Sequence, residues 1–257
     1  MTDIDYIKCG DCLELMGDIQ DKSINMILCD LPYGRTHNSW DKEIPFDPLW
    51  KQYERIIKDN GVIALFGDGL FMAELMLSNK KMWRYNLIWD KVLPSGFLNA
   101  NRQPLRQHEE IVMFYKKQPV YNPQKTKGKK NHGKGKEKVC VNNNYSNFDF
   151  VDNDLGGMKH PKSILTFPKN HPSQMIHPTQ KPVELLEYLI RTYTNEGDMV
   201  LDNCMGSGST CVAAVNTDRH YIGFELDPQY FDIARSRIEE AENIRNNKKK
   251  VCVNDKD

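Results

Sequence analysis

Ile24-Asn25-Met26-Ile27-Leu28-Cys29-Asp30-Leu31-Pro32-Tyr33 is the stretch that decides the fold. Its first six residues carry no charge and only one polar side chain, as suits a strand buried on both faces of a parallel sheet. Pro32 ends the run, because proline donates no ladder hydrogen bond and restricts the residue before it. An acid, a rigid turn and an aromatic ring therefore stand where the carboxyl end of a strand opens into a crevice. Open α/β sheets bind their ligands at that edge. The same four residues also read as a strand closed by a proline turn with a packed Tyr, so their meaning depends on the rest of the chain.

Outward from this strand, the pattern alternates. Residues 5–9 read as a short strand, with Gly10-Asp11 at its carboxyl end, and residues 12–16 as a short helix. Asp47-Pro48 opens a helix in which Leu49, Tyr53, Ile56 and Ile57 share one face, and Asn60-Gly61 is expected to stop it. Val62–Phe66 is a buried strand, residues 69–77 a helix, and residues 85–89 and 111–115 two further strands. Pro182 begins a helix with Val183, Leu186, Leu189, Ile190 and Tyr193 as its apolar stripe. Met199–Leu201 and Tyr221–Phe224 are strands around a helix at Thr210, and Asp227-Pro228 begins a last helix. The tail from Asn246 is expected to fray. Strands alternating with helices are the doubly wound signature.

Composition narrows the class. The chain has 257 residues, 39% of them hydrophobic, with 35 basic and 35 acidic side chains. That suits one large globular domain or a domain with an insertion. No apolar run approaches the roughly 18 residues of a membrane span, and the polar start Met1-Thr2-Asp3 has no signal-peptide pattern. The expectation is a cytoplasmic protein. Its seven scattered cysteines fit a reducing compartment better than a disulfide scaffold. Cys9 and Cys12 have C-x-x-C spacing but no second pair, so no metal is expected.

The second decisive stretch is Asp202-Asn203-Cys204-Met205-Gly206-Ser207-Gly208-Ser209-Thr210. A strand, a Gly-x-Gly turn, a helix, a second strand and then the acid Glu225 follow the logic of binding an adenosine cofactor. Glycine lets the backbone approach the ligand, and Glu225 can accept hydrogen bonds from two ribose hydroxyls. A nicotinamide enzyme would show a third glycine where Cys211 and Val212 stand. A P-loop is excluded, since no Gly is followed by Lys-Ser or Lys-Thr.

Asp30-Leu31-Pro32-Tyr33, then His177-Pro178-Thr179-Gln180-Lys181-Pro182, then the glycine turn together resemble the S-adenosylmethionine-dependent amino-methyltransferases of DNA. With the catalytic motif first and a variable segment between the motifs, the order resembles the β group of that family, which includes phage and orphan members and restriction-modification enzymes. The resemblance covers residues from about 5 to 240. It implies a permuted Rossmann-like α/β sheet with helices on both faces and an inserted target-recognition segment. The expected division is residues 1–116 as the catalytic half, 117–172 as the recognition insertion, 173–245 as the cofactor half and 246–257 as a tail.

What the resemblance implies about residues is specific. The exocyclic amine of a base is a poor nucleophile because its lone pair is delocalised into the ring. The Asp30 carboxylate and the Leu31 carbonyl would accept its two hydrogens and stabilise the positive charge that develops, with Pro32 fixing the turn. Leu31 stands where the family usually has Pro, which costs rigidity rather than the backbone contact. Tyr33 would stack on a base flipped out of the duplex. No covalent intermediate is needed, and the Pro-Cys pair of carbon-5 cytosine methylation is absent from the sequence.

Asp11 would contact the cofactor's adenine amine and Glu225 its ribose. Gly206, Ser207 and Gly208 would pass its methionine part, with Thr179 and Lys181 near that end. Asn203 and Cys204 replace the Pro and Phe common in relatives, removing an aromatic contact. Asp202 either holds the methionine ammonium or is structural. His177 is a helix-entry hydrogen-bonder or a proton acceptor, and Phe114 either holds the flipped base or is a core residue.

Residues 116–138 carry nine lysines and one acid. Such a run is a solvated loop or, given the resemblance, an arm whose Lys125, Lys127, Lys129 and Lys130 contact phosphates. The implied partner is double-stranded DNA. A homodimer is the assembly common in the family, and a restriction endonuclease accompanies some of its members. Asp at the first motif position favours N6 of adenine, with N4 of cytosine as the nearest alternative. Methylation of RNA, or nucleic-acid binding without catalysis, are the more distant ones.

Overall fold

The computed structural model describes residues 4–34, 42–128, 157–169 and 180–254, the last four of these for their backbone only. The chain divides into a larger unit, Met1–Asn122 with Ser163–Asp257, and a smaller one, Pro123–Lys162. In chain order the elements are β1 (Tyr6–Cys9), α1 (Cys12–Leu15), β2 (Ile24–Cys29), α2 (Phe46–Ile56), β3 (Ile57–Gly67), α3 (Gly69–Ser78), β4 (Trp83–Ser95) and β5 (Arg106–Phe114). In the smaller unit β6 (Thr126–Lys127) pairs antiparallel with β7 (Met158–Lys159). The larger unit resumes with β8 (Ile164–Thr166), α4 (Val183–Tyr193), β9 (Met199–Asp202), α5 (Ser209–Asn216), β10 (His220–Glu225) and α6 (Pro228–Asn254).

The larger unit is built on one eight-stranded sheet in the order β1-β10-β9-β2-β3-β5-β4-β8. The first five strands run parallel; β5 is antiparallel to β3 and β4, and β8 is parallel to β4. Alternation along β2 separates two cores. Met26 and Leu28 face the layer formed by α4, α5 and α6, while Ile27 and Cys29 face the layer formed by α1, α2 and α3. Each fully buried aliphatic side chain contributes roughly 1.5–3 kcal/mol, and a one-residue slip of β2 would send each set into the core packed for the other. The expected sheet with helices on both faces is the observed one.

This arrangement fixes where a ligand can bind. From β9 the chain crosses by α5 to β10, on one side of the sheet, and from β2 it crosses by α2 to β3, on the other. β9 and β2 are adjacent, with Leu201 opposite Ile27. The connections diverge there, so a crevice opens between the carboxyl ends of these two strands. Asp202 and Asp30 stand at those ends.

The structure corrects four expectations. Asn60-Gly61 does not stop a helix, because β3 has already begun at Ile57 and passes through both residues. Ile57 pairs with Ile24 and Val62 with Met26, so the intervening residues bulge outward. A Cβ on Gly61 would lie 2.9 Å from the Asn25 carbonyl oxygen. The β4–β5 hairpin is much longer than the apolar runs at residues 85–89 and 111–115 indicate, since Asp90–Ser95 and Arg106–Glu110 continue the strands through sequence of mixed polarity. The tail is helical, because α6 meets no Gly or Pro after Pro228 and continues to Asn254, with Lys249 paired to Asp218 at 2.6 Å. Residues Ile164–Thr166, inside the span assigned to the insertion, are a strand of the main sheet. No helix among the described residues is long and apolar enough to cross a membrane.

Candidate active site

A cavity of about 410 Å³ occupies the crevice between β2 and β9, within the roughly 300–1,000 Å³ usual for small-molecule sites. Asp11, Asp30, Leu31, Pro32, Tyr33, Lys181, Asp202, Cys204, Gly206, Ser207 and Glu225 all line it. Elements from both halves of the sequence thus converge on one space.

The glycine turn forms one wall. Gly206 and Gly208 have φ of +51° and +77°, a region that residues with a Cβ rarely adopt. Glu225 Oε2 accepts from the Gly206 N–H and Oε1 from the Asp227 N–H, each at 2.8 Å. Burial raises the Glu225 pKa, and these backbone donors offset it only in part. Arg237 of α6 donates to the Ser207 carbonyl, to Ser207 Oγ at 2.9 Å and to Ser209 Oγ at 3.2 Å. The turn is therefore held from both sides. Gly208 itself does not line the cavity. A Cβ there would lie 3.0 Å from the Ala234 Cβ, so this glycine serves the packing of α6 on the turn.

Asp202 is buried, and its Oδ1 accepts from the Cys204 N–H at 3.1 Å. Burial pushes its pKa up to about 6. Asn203 does structural duty: Tyr53 donates to its Oδ1 at 2.5 Å, and its Nδ2 lies 3.4 Å from Cys204 Sγ and 3.6 Å from Cys12 Sγ. A hydrogen-bonded corner thus stands where an aromatic contact was expected to be missing. Next to Glu225, whose carbonyl accepts from Gly10 N at 2.9 Å, Asp11 Oδ1 caps α1 by accepting from Leu13 N at 2.7 Å and Glu14 N at 3.3 Å.

Asp30 heads a line of alternating charges. Tyr33 donates to Asp30 Oδ1 at 2.9 Å, and its ring stacks on Phe71 with centroids 4.5 Å apart. The Lys181 ammonium pairs with Asp30 Oδ2 and lies 3.5 Å from Glu109 Oε2. Glu109 Oε1 is in turn 3.1 Å from the Lys91 ammonium. Lys181 also sits 4.9 Å above the Phe66 ring, a cation–π placement. Burial depresses the Lys181 pKa, but the carboxylates of Asp30 and Glu109 outweigh it and the net is upward. For Glu109 burial is likewise overcome, by Lys181 and Lys91, and the pKa is lowered. Asp30 is raised, because burial exceeds what Lys181 offsets. Lys181 and Glu109 are therefore charged, and Asp30 is the group of the line most ready to take a proton.

This geometry bears on two of the expected residues. Lys181 lines the cleft beside the glycine turn, and its ammonium pairs with Asp30 and Glu109. Phe114 is fully buried, edge-on to Trp50 with centroids 4.9 Å apart. It pairs with Ile63, whereas the end of that strand pair nearer the cleft is at Gly67 and Glu110, so it is a core residue. Glu109 and Lys91 went unnoticed in the sequence. Their signal was an acid directly ahead of the buried run of β5 and a lysine in the polar part of β4. Thr179, His177, Lys129 and Lys130 lie outside the described residues. Lys125 and Lys127 belong to the smaller unit, with Lys127 exposed in β6.

Comparison with known proteins agrees with this geometry. The chain is 29% identical over 272 aligned residues to the type II methyltransferase M2.MboI of Moraxella bovis, covering 95% of this chain and 91% of that one. Among solved structures, the M1.HpyAVI–SAM complex superposes with a TM-score of 0.63 at 23% identity, covering 91% and 98% of the two chains. The cytosine-N4-specific PvuII DNA methyltransferase does so with a TM-score of 0.65 at 17% identity, covering 94% and 91%. Both share the fold. The N6_N4_Mtase DNA methylase family matches residues 24–236, a span that holds both strand ends, the glycine turn and the charged line, and the chain belongs to that family of DNA methyltransferases.

Proposed function

We propose that the chain transfers a methyl group from S-adenosylmethionine to the exocyclic N6 of adenine in double-stranded DNA. The observation that carries this reading is the position of Asp30 and the Leu31 carbonyl at the switch point of the sheet, on the same cavity as the glycine turn. The cavity fits the cofactor chemically. It offers the Glu225 carboxylate for a diol, the buried Asp202 carboxylate for an ammonium, Asp11 for an adenine amine, and the Gly206-Ser207 backbone for close approach. When bound, S-adenosylmethionine supplies an electrophilic methyl group on a sulfonium.

The protein's own residues do the rest. The Asp30 carboxylate and the Leu31 carbonyl accept the two amine hydrogens, turning the nitrogen lone pair away from the ring and toward the methyl carbon. The amine nitrogen would become positive on gaining the methyl group, and the Asp30 carboxylate would take the proton it sheds. The raised pKa of Asp30 suits that acceptance. Lys181, held by Glu109, keeps Asp30 ionised before the reaction. Tyr33, backed by Phe71, offers a ring on which the extruded base can stack.

Within the same reading, residues 117–172 other than the sheet strand Ile164–Thr166 carry target recognition, and Lys125 and Lys127 contribute phosphate contacts. The adenine assignment rests on Asp as the first residue of the catalytic tetrapeptide. Transfer of a labelled methyl group to duplex DNA, followed by digestion and nucleoside identification, tests it. N6-methyladenine is the expected product. N4-methylcytosine would overturn the base assignment, and methylation of RNA alone would overturn the substrate class.

A further inference from the structure

The β4–β5 hairpin reaches beyond the edge of the sheet at which Asp30 stands. Leu65 of β3 is level with Cys29 of β2, and Gly67, where β3 ends, is level with Glu110 of β5. From Glu110 back to Arg106, and from Ile88 on to Ser95, the two strands run on past that level. Their connection, residues 96–105, is exposed except at Leu105, which is half-buried.

Two large apolar side chains sit at its end. Phe97 is 68% exposed and Leu98 102% exposed. Folding gains nothing from placing them there, since burial is what stabilises such groups. Nor is the tip a loose loop. Gly96, with φ +90°, opens a 3-10 turn over Phe97–Asn99, in which Asn99 N donates to the Gly96 carbonyl at 2.9 Å and Ala100 N to the Phe97 carbonyl at 3.1 Å. Arg102 N and Gln103 N both donate to the Asn99 carbonyl, at 2.9 and 3.1 Å. At the root, Ser95 Oγ donates to the Arg106 carbonyl at 3.1 Å, and Arg106 pairs with Asp68. Val92 is held at φ +64°, which a β-branched residue adopts only under constraint. A built turn presents the two apolar groups outward.

The surroundings indicate what they meet. Lys91 is taken up by Glu109 and Arg106 by Asp68, which leaves exposed Arg102 as the cation at the tip, with no acid between residues 91 and 107 to oppose it. Asn99, Asn101 and Gln103 at the tip can hydrogen-bond base edges. Apolar wedges flanked by such side chains enter base steps of duplex DNA and unstack them.

We propose that Phe97 and Leu98 insert into duplex DNA at the step the target base vacates, keeping the stack filled while that base lies beside Asp30. The inference rests on the DNA amino-methyltransferase reading above. It makes the hairpin tip a base-extrusion element, separate from both the cofactor cavity and the recognition segment.

The test uses the full chain, on a duplex carrying the site mapped from DNA that the wild-type protein has methylated. One form has the target base paired, and the other has it opposite an abasic position, already free to leave the stack. The double variant Phe97→Ala/Leu98→Ala is expected to lose about 10- to 100-fold in kcat on the paired duplex, the scale of an unstacking cost. The abasic form should recover most of that loss, and Leu98→Met, which keeps an apolar group, should retain most activity on both. Equal losses on the two duplexes, or none on the paired one, would overturn the proposal. So would a wild-type oligomer that dissociates in the double variant with its loss unrelieved by the abasic form, since the tip would then serve a second copy of the chain. A wild-type protein that methylates neither duplex would instead bring down the underlying reading, whatever the variants do.

Discussion

The Lys181 ammonium is paired with the Asp30 carboxylate, 151 positions earlier in the chain, and through Glu109 it reaches Lys91. The catalytic strand end and the entry to α4 are thereby joined by charge as well as by packing. Removing one member of a buried pair leaves the other uncompensated, at a cost of about 3–5 kcal/mol.

Replacing Lys181 with Met should act on Asp30 first. Burial already raises the Asp30 pKa, and Lys181 is what opposes it, so the substitution moves the pKa further up. Asp30 must be ionised to accept the amine hydrogens. The acid limb of the kcat–pH profile should therefore shift to higher pH, with activity at neutral pH down by about 100-fold and partly restored as pH rises. An unshifted profile would remove Lys181 from this role.

Asp202 makes a separate prediction about pH. Its folded pKa of about 6 lies above the ordinary 3.8, so the folded state binds its proton more tightly than the unfolded state does. Its contribution to stability is complete below about 3.8 and is lost as pH rises through 6, a change of roughly 3 kcal/mol. An ammonium placed against the carboxylate would favour its ionised form. Cofactor affinity should then weaken as pH falls below 6, with proton release on binding near that pH, measurable by calorimetry in buffers of different ionisation enthalpy. Asp202→Asn should weaken cofactor binding without lowering the stability of the free protein at neutral pH.

Much of this was legible in the sequence because local rules and tertiary structure agree. β2, β9 and β10 are uncharged or nearly so and end at acids, so their burial and their site residues could be read together. The charged line could not. Lys91, Glu109 and Lys181 lie on three elements, and only the register of β4 against β5 and the entry to α4 bring them within contact of one another. The length of the hairpin was hidden for a related reason. Its outer residues mix charged and polar side chains with exposed Val92 and Leu93, and pairing rather than hydrophobic alternation makes them strand. Phe114 misled because an apolar strand looks the same at its catalytic end and at its core end.

Gly208→Ala and Gly197→Ala should separate backbone strain from packing. Both glycines have positive φ, +77° and +78°, but a Cβ at Gly208 would lie 3.0 Å from Ala234, whereas one at Gly197 would meet nothing within 4 Å. The Gly197 variant should lose about 1–2 kcal/mol from strain alone. The Gly208 variant should lose a further 1–3 kcal/mol or so from overpacking, and cofactor affinity should fall as α6 shifts the turn. Urea denaturation of both variants checks this.

The lysines of the recognition segment make a prediction about salt. Replacing Lys125, Lys127, Lys129 and Lys130 with Gln should flatten the dependence of log affinity for DNA on log salt. The slope should fall by about 0.9 for each phosphate that these lysines neutralise. An unchanged slope would mean that these side chains face solvent in the complex.

In the proposed mechanism the Asp30 carboxylate drives transfer while cofactor binding rests on other residues. The most direct measurement compares wild type with Asp30→Ala in two readouts, S-adenosylmethionine affinity by calorimetry and single-turnover methylation of the mapped duplex. Affinity is expected to stay within a few-fold of wild type while the transfer rate falls by at least about 1,000-fold. Transfer by Asp30→Ala at a rate near that of wild type would contradict this mechanism.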